Sequence, residues 1–365
     1  MTEESPIAVE IKNLRDQYLQ KREGKTDLVA TWVEETPLIS KRELPVLAHV
    51  MILATRGCKW ALSGSGGCSM CGYINDSSRE ELTQSLILKQ FSKALNQQLH
   101  HNERIIQIVK IFNSGSFFDD EEVHPKTRDQ IFRQLDQYPD LQEVAVESRP
   151  EYINEEKIDS VLNILGDKKL VIGIGLETSS DYIRNNCINK GFSFNDFKKA
   201  TSLIIDREAL VKAYLLLKPP FLTEIEALWD TLRSVRVLTD LGIPAISLNP
   251  CTVQNGTLVE KLFLKGQYRP PWLWTVLESL KTSIQKFPQS KILCEPTGAG
   301  SQRGPRNCGK CDKTIANLIK KISLHQRVDI EEPSCQCKNI WKETINLDDS
   351  LQKIFLGLNS IPKLY

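Results

Sequence analysis

Six apolar runs punctuate the first two thirds of the chain, and each breaks into a polar, glycine- or proline-containing turn. They are LPVLAHVMILATRG (44–57), IIQIVKIFNSGSF (105–117), LQEVAVESRPEYI (141–153), KLVIGIGLETSS (169–180), VKAYLLLKPPF (211–221) and IPAISLNPCTV (243–253). Each is too short for a helix and apolar on both faces, as a strand buried inside a parallel sheet must be. Between them lie patterns of helical period: residues 79–99, 127–138, 154–166, 194–206 and 223–242. Strands alternating with helices predict parallel β–α units and an α/β fold. Polar residues gather just past the strands: Cys58, Asn113 to Ser116, Glu147 and Arg149, Glu177, Lys218 and Asn249. In parallel α/β barrels the carboxyl-terminal rim of the strands carries the chemistry. Six such strands suggest a TIM-like barrel, complete or partial; a doubly wound open sheet is the alternative.

The flanks differ in texture. Residues 1–44 open with a charged, helical pattern, and a barrel is expected over 45–265. From YRPPWLW (268–274) onward the chain is rich in Gly, Pro, Cys and basic residues, so 266–365 is read as a separate extension. The opening segment lacks the apolar core of a signal peptide, and no run nears the roughly 20 apolar residues of a membrane span. A cytoplasmic protein with no membrane partner is expected. With 47 basic and 46 acidic residues the net charge is +1, so any nucleic-acid binding needs a local patch.

A reducing compartment directs the ten cysteines toward metal chemistry rather than disulfides. Cys187, Cys251 and Cys294 stand alone and read as small buried hydrophobes. Cys58, Cys68 and Cys71 share one loop rich in Gly and Ser. Three thiolates are one too few for a closed zinc site but suit a cubane iron–sulfur cluster with one open iron. A zinc knuckle that borrows a distant fourth ligand is the competing reading.

The spacing Cys58–nine residues–Cys68–two residues–Cys71 resembles the variant cysteine motif of the elongator-like radical S-adenosylmethionine (SAM) superfamily. Further segments match in order: NSGSFFD, VESRPEYI, GIGLETSSDYIRNNCINKGFS, LLLKPPFLTEIEA, NPCTVQNGTLVE and YRPPWLW. Together, over about residues 45 to 345, they most resemble the archaeal radical SAM subunits of archaeosine synthases. The resemblance implies a partial (β/α)6 barrel holding a 4Fe–4S cluster on Cys58, Cys68 and Cys71. SAM would bind the open iron, and an electron donor would drive its cleavage to a 5′-deoxyadenosyl radical.

The same resemblance implies SAM contacts position by position. Asn113, Ser114, Gly115 and Ser116 match the turn that meets the methionyl amine, and Glu147 an acidic residue near SAM. Glu177 stands at a ribose contact and Lys190 at a carboxylate contact. Met70 stands where an aromatic often packs near adenine, with Tyr73 close enough to take that part. Two departures stand out: the turn has the single glycine Gly115, and the fifth strand ends in Lys218-Pro219-Pro220 without the expected acid. On the residues alone, Glu147 and Arg149 pairing with each other, and Lys190 solvated at a helix end, are the bland alternatives.

A second group, Cys308-x-x-Cys311 and Cys335-x-Cys337, suits a four-thiolate zinc staple, with an auxiliary iron–sulfur cluster or unmetallated thiols as rivals. Cys294 and His325 are substitute ligands at most. Between 303 and 327, Arg303, Arg306, Lys310, Lys313, Lys320, Lys321 and Arg327 face the single acid Asp312, a local excess of six positive charges. It reads as a phosphate-backbone surface or as a solvated helix face.

The resemblance implies a tRNA-modifying radical lyase. A partner subunit attaches lysine to 7-cyano-7-deazaguanine in the D-loop, and this chain breaks the lysine carbon–nitrogen bond to leave archaeosine. Lys218 and Asn249 are candidates for touching the adduct. The alternatives are an elongator-like enzyme acting on another tRNA base, for which no acetyltransferase domain follows the barrel, and a non-catalytic RNA-binding subunit.

Overall fold

A computed structural model of the chain describes residues 7–41, 44–78, 80–99 and 105–356. One eight-stranded sheet forms its centre, with strands side by side in chain order. They are β1 (Ala30–Thr36), β2 (Val46–Leu53), β3 (Ile106–Asn113), β4 (Glu143–Glu147), β5 (Lys169–Glu177), β6 (Leu210–Leu217), β7 (Ala245–Pro250) and β8 (Lys291–Leu293). Strands β2 to β8 run parallel, and β1 joins β2 antiparallel. The helices longer than a single turn are α1 (Ala8–Leu19), α2 (Gln84–Leu99), α3 (Pro125–Asp136), α4 (Glu155–Leu165), α5 (Phe194–Ile205), α6 (Glu224–Asp240), α7 (Leu258–Leu264), α8 (Leu273–Lys286), α9 (Asp312–His325) and α10 (Cys337–Leu356).

All six apolar runs form parallel strands. Their order never reverses, which rules out the doubly wound alternative, whose order turns back at a switch point. Among the described residues β8 does not pair with β1, so the sheet curls into a partial barrel without closing. The two outer strands lie outside the 45–265 span. β1, ATWVEET, is too polar and too half-buried to read as a core strand, and β8 has only three residues, too few to show a period. Among the described residues no helix is long and apolar enough to cross a membrane.

Strand periodicity sorts the side chains. Met51, Val109, Val146, Ile172, Ala213 and Ile246 point out to the helices and join Phe91, Phe132, Phe197 and Trp274 in one buried core. The alternate positions face the lumen, where Lys110 Nζ meets Glu34 at 2.8 Å and a Cβ on Gly173 would lie 2.8 Å from the Tyr214 ring. Leu273, Ile315, Ile319 and Trp341 of α8, α9 and α10 belong to that same outer core. The C-terminal segment thus packs onto the barrel's own core.

Candidate functional site

The loop that follows β2 crosses the carboxyl-terminal end of the sheet and is tied to three other strand ends. Cys58 N donates to Ser114 O beyond β3 (3.1 Å), Ser69 N to Ile188 O beyond β5 (2.8 Å), and Gly72 N to Gln254 Oε1 beyond β7 (2.5 Å). Asn189 Nδ2 binds Gly67 O at 2.8 Å and Ser65 O at 3.0 Å, so the glycine-rich stretch is pinned from outside. Gly66 has φ +70, and a Cβ there would lie 2.5 Å from the Cα of Lys12; glycine is what lets α1 lie on the loop.

This loop brings Cys58, Cys68 and Cys71 within mutual electrostatic range. Burial pushes the Cys68 thiol up to about 12; Lys190 and Arg149 oppose the rise, and Cys71 and Cys58 add to it. Burial also raises Cys71, with Arg15 the leading counterweight. Three cations therefore converge on three thiols, a surrounding that suits a donor set carrying negative charge. Of the described residues, only Cys308, Cys311, Cys335 and Cys337 close to single-ion spacing; Cys58, Cys68 and Cys71 stand wider apart than one ion needs.

Each neighbouring contact has a definite place. Asn113 to Ser116 form the turn beside Cys58, and Glu122, 3% exposed, organises it from within. Glu122 accepts from Ser116 N (2.7 Å), from Asn113 Nδ2 (2.7 Å) and from Thr55 Oγ1. That leaves Asn113 Oδ1 buried, without a partner among the described residues. Glu177, at φ +69, accepts from Lys190 Nζ at 2.6 Å, and the pair fills the space over Gly175 that a Cβ would need. Lys190 is buried, which overturns the solvated-helix-end alternative.

Glu147 and Arg149 do not pair with each other. Glu147 and Tyr214 meet over Gly173, and burial raises the Glu147 carboxyl while the Tyr214 phenol opposes the rise. Arg149 Nε donates to Glu151 at 2.5 Å and Nη2 to Lys190 O at 3.0 Å, which turns the guanidinium away from Glu147. Met70 packs half-buried with Trp60 and Cys71 near Cys68, whereas Tyr73 is 62% exposed. Lys218 is occupied elsewhere: its Nζ lies 2.7 Å from Glu224 Oε2, both groups buried. Asn249 Oδ1 accepts from Ser247 Oγ at 3.1 Å. Glu122 and Arg15 escaped sequence reasoning because one sits in the acidic run DDEE and the other in a charged opening helix, patterns that read as solvated surface.

The second cysteine group closes tightly. Sγ separations are 3.7 Å (Cys308–Cys335), 3.5 Å (Cys311–Cys337) and 3.4 Å (Cys335–Cys337). A tetrahedral ion bonded to four sulfurs at about 2.3 Å requires them roughly 3.8 Å apart. Thiolates on separate irons of a cubane stand farther apart, so the geometry fits one ion. Trp274 Nε1 donates to Cys337 Sγ and Asn307 Nδ2 to Cys311 Sγ, both at 3.3 Å, which orients the ligands. Backbone N–H groups of the Gly309 turn help lower Cys308 to about 7. Cys294 and His325 lie outside the group, and Cys187, Cys251 and Cys294 are buried as expected.

The basic stretch is less free than its composition suggests. Arg303 lies on Glu260, Lys320 on Glu295 and Arg327 on Asp329, each at 2.6 Å. Lys310, Lys313 and Lys321 remain exposed.

No family model matches the chain. Relatives do. The archaeosine synthase subunit beta of Methanosarcina acetivorans is 39% identical over 343 residues, which cover 93% of this chain and 96% of that one. The chain belongs to the archaeosine synthase subunit beta family. The Thermococcus kodakarensis member is 37% identical over 313 residues, 85% of this chain and 94% of its own length. Among solved structures, an archaeal Elp3 from Methanocaldococcus infernus, with its N-terminus deleted, aligns over 65% of this chain and 59% of that one, with TM-score 0.48 and 15% identity.

Proposed function

We propose that this family member is a radical SAM carbon–nitrogen lyase that completes archaeosine formation on tRNA. Its substrate would be the lysine adduct of 7-cyano-7-deazaguanine in the D-loop, made by a lysine-transferring partner subunit. The observation that carries the reading is the set of three buried or half-buried thiols at the sheet's carboxyl end, attended by three cations and spaced wider than a single ion needs.

Cys58, Cys68 and Cys71 would hold the 4Fe–4S cluster. With SAM bound and an electron supplied, that group provides a 5′-deoxyadenosyl radical able to take a hydrogen atom from the substrate. The chain's own residues position and enclose. The unpartnered Asn113 Oδ1 is an acceptor suited to the methionyl amine, in a turn that Glu122 holds rigid. The Glu177–Lys190 pair, Glu147, Met70 and Tyr73 line the same side of the rim as ribose, carboxylate and adenine contacts. Lys218, held by Glu224, acts by shaping the rim. Cys308, Cys311, Cys335 and Cys337 would hold a structural zinc ion, and exposed Lys310 and Lys313 beside it would meet the tRNA backbone.

Anaerobic reconstitution with iron, sulfide, reductant and SAM should yield 5′-deoxyadenosine, and Cys58→Ala should abolish it. Adding lysine-adducted tRNA should then give the formamidine of archaeosine. Product formed equally by Cys58→Ala overturns the cluster assignment; acetyl-CoA-dependent uridine modification instead of archaeosine overturns the substrate.

A further inference from the structure

Arg15 lies on α1, ahead of every strand and in a charged opening helix, yet it is 2% exposed. Its Nη2 donates to Cys68 O at 3.3 Å. Its Nε and Nη1 are buried and have no hydrogen-bond partner among the described residues. A guanidinium keeps its charge and all five donors at any pH a protein tolerates. Leaving the three N–H donors on those two nitrogens empty in the interior is unfavourable, and such a gap in a folded protein asks for the group that fills it. The other two cations at the site are already engaged: Arg149 with Glu151 and Lys190 O, and Lys190 with Glu177.

The helix that carries Arg15 is fixed at several points along its length. Glu10 pairs with Lys261 of α7, Lys12 abuts Gly66, and the Tyr18 ring covers Gly256, where a Cβ would lie 2.5 Å away. Arg15 is therefore held against the cysteine loop, on the side where it acts on the Cys71 thiol.

We propose that Arg15 is a positioning residue for the iron–sulfur cluster: beside Cys71, its unpaired Nε and Nη1 donors would bond to cluster sulfur and tune the cluster's reduction. This rests on reading Cys58, Cys68 and Cys71 as cluster ligands. Reduction adds one negative charge to a buried group. A fixed cation and unpaired N–H donors stabilise the more negative state, so they raise the reduction potential. The opening helix is then part of the cluster's housing.

The test uses the full chain, anaerobically reconstituted with iron and sulfide, as wild type, Arg15→Lys and Arg15→Met. Cubane content is read by iron analysis and by the electron paramagnetic resonance of the reduced state; midpoints come from redox titration. Arg15→Met should make reduction about tenfold less favourable, a fall of ~59 mV for a one-electron couple. Arg15→Lys, which keeps the charge and loses the fork, should fall by less. An unchanged midpoint in Arg15→Met with an intact cubane signal overturns the proposal, even if its thermal unfolding temperature drops, because that is the mark of a helix anchor. Should Arg15→Met fail to hold a cubane, Arg15→Lys decides: a lowered midpoint supports the assignment, and an unchanged one overturns it. A wild-type chain with no cubane signal overturns the cluster reading and this proposal with it.

Discussion

Replacing Gly115 by alanine probes the turn on which the proposed SAM site depends. A Cβ there would sit 1.9 Å from Glu122 Oε2 and 2.6 Å from its Cδ, closer than any real contact. The carboxylate has nowhere to retreat without giving up its bonds from Ser116 N and Asn113 Nδ2. A hydrogen bond to a charged group contributes about 1.5–3 kcal/mol, so losing both costs about 3–6 kcal/mol. That is a large part of the roughly 5–15 kcal/mol by which a domain is stable. Urea unfolding of wild type, Gly115→Ala and Gly64→Ala measures it, since a Cβ on Gly64 meets nothing within 4 Å. Gly64→Ala should be near neutral and Gly115→Ala strongly destabilised. SAM affinity, read by equilibrium dialysis, should fall at least tenfold for Gly115→Ala. Equal midpoints for the two variants, or a Gly115→Ala loss below about 1 kcal/mol, would refute the steric argument.

Lys218→Met strands the buried Glu224 charge and should destabilise by about 3–5 kcal/mol, with Lys218→Met/Glu224→Gln recovering most of it; loss of turnover at unchanged stability would instead mark Lys218 as a substrate contact. Cys337→Ser should release one zinc per chain and change Trp274 fluorescence, because the indole N–H donates to that sulfur; metal analysis that finds extra iron and no zinc contradicts the assignment. Burial raises the Asp230 carboxyl from 3.8 to about 6, against the opposing bond from Thr178. The folded state therefore keeps its proton to higher pH than the unfolded one, and stability falls as pH rises from about 4 to 6, by about 3 kcal/mol. Asp230→Asn should flatten that slope in a series of unfolding curves; an identical slope rejects it.

The parallel strands were legible because residues buried on both faces leave an unbroken apolar run. β1 was not, since ATWVEET shows one face to the lumen with Glu34 and leaves Trp32 partly exposed. The four C-terminal cysteines could be read as one group from their spacing, and their sulfurs do converge. The surroundings of the first cysteine loop could not. Arg15, Glu122 and Gln254 reach the loop from 56, 51 and 183 residues away from Cys71, and nothing local marks a charged residue as destined for the interior. The reverse error also occurred: Arg303, Lys320 and Arg327 look like an open basic surface until their carboxylate partners, two of them distant in sequence, are in place. Charge that composition suggests and charge that a surface presents are different quantities.

The four-sulfur site draws its last ligands, Cys335 and Cys337, from beyond every strand of the sheet. A chain emerging from the ribosome therefore displays the whole barrel before the ion can be captured. An ion held there would clip α10 onto Trp274 and the barrel's outer core. Its occupancy would thus report that synthesis has passed Cys337: a chain stopped short of it could form the sheet yet lack the clasp, and a protease could tell the two apart.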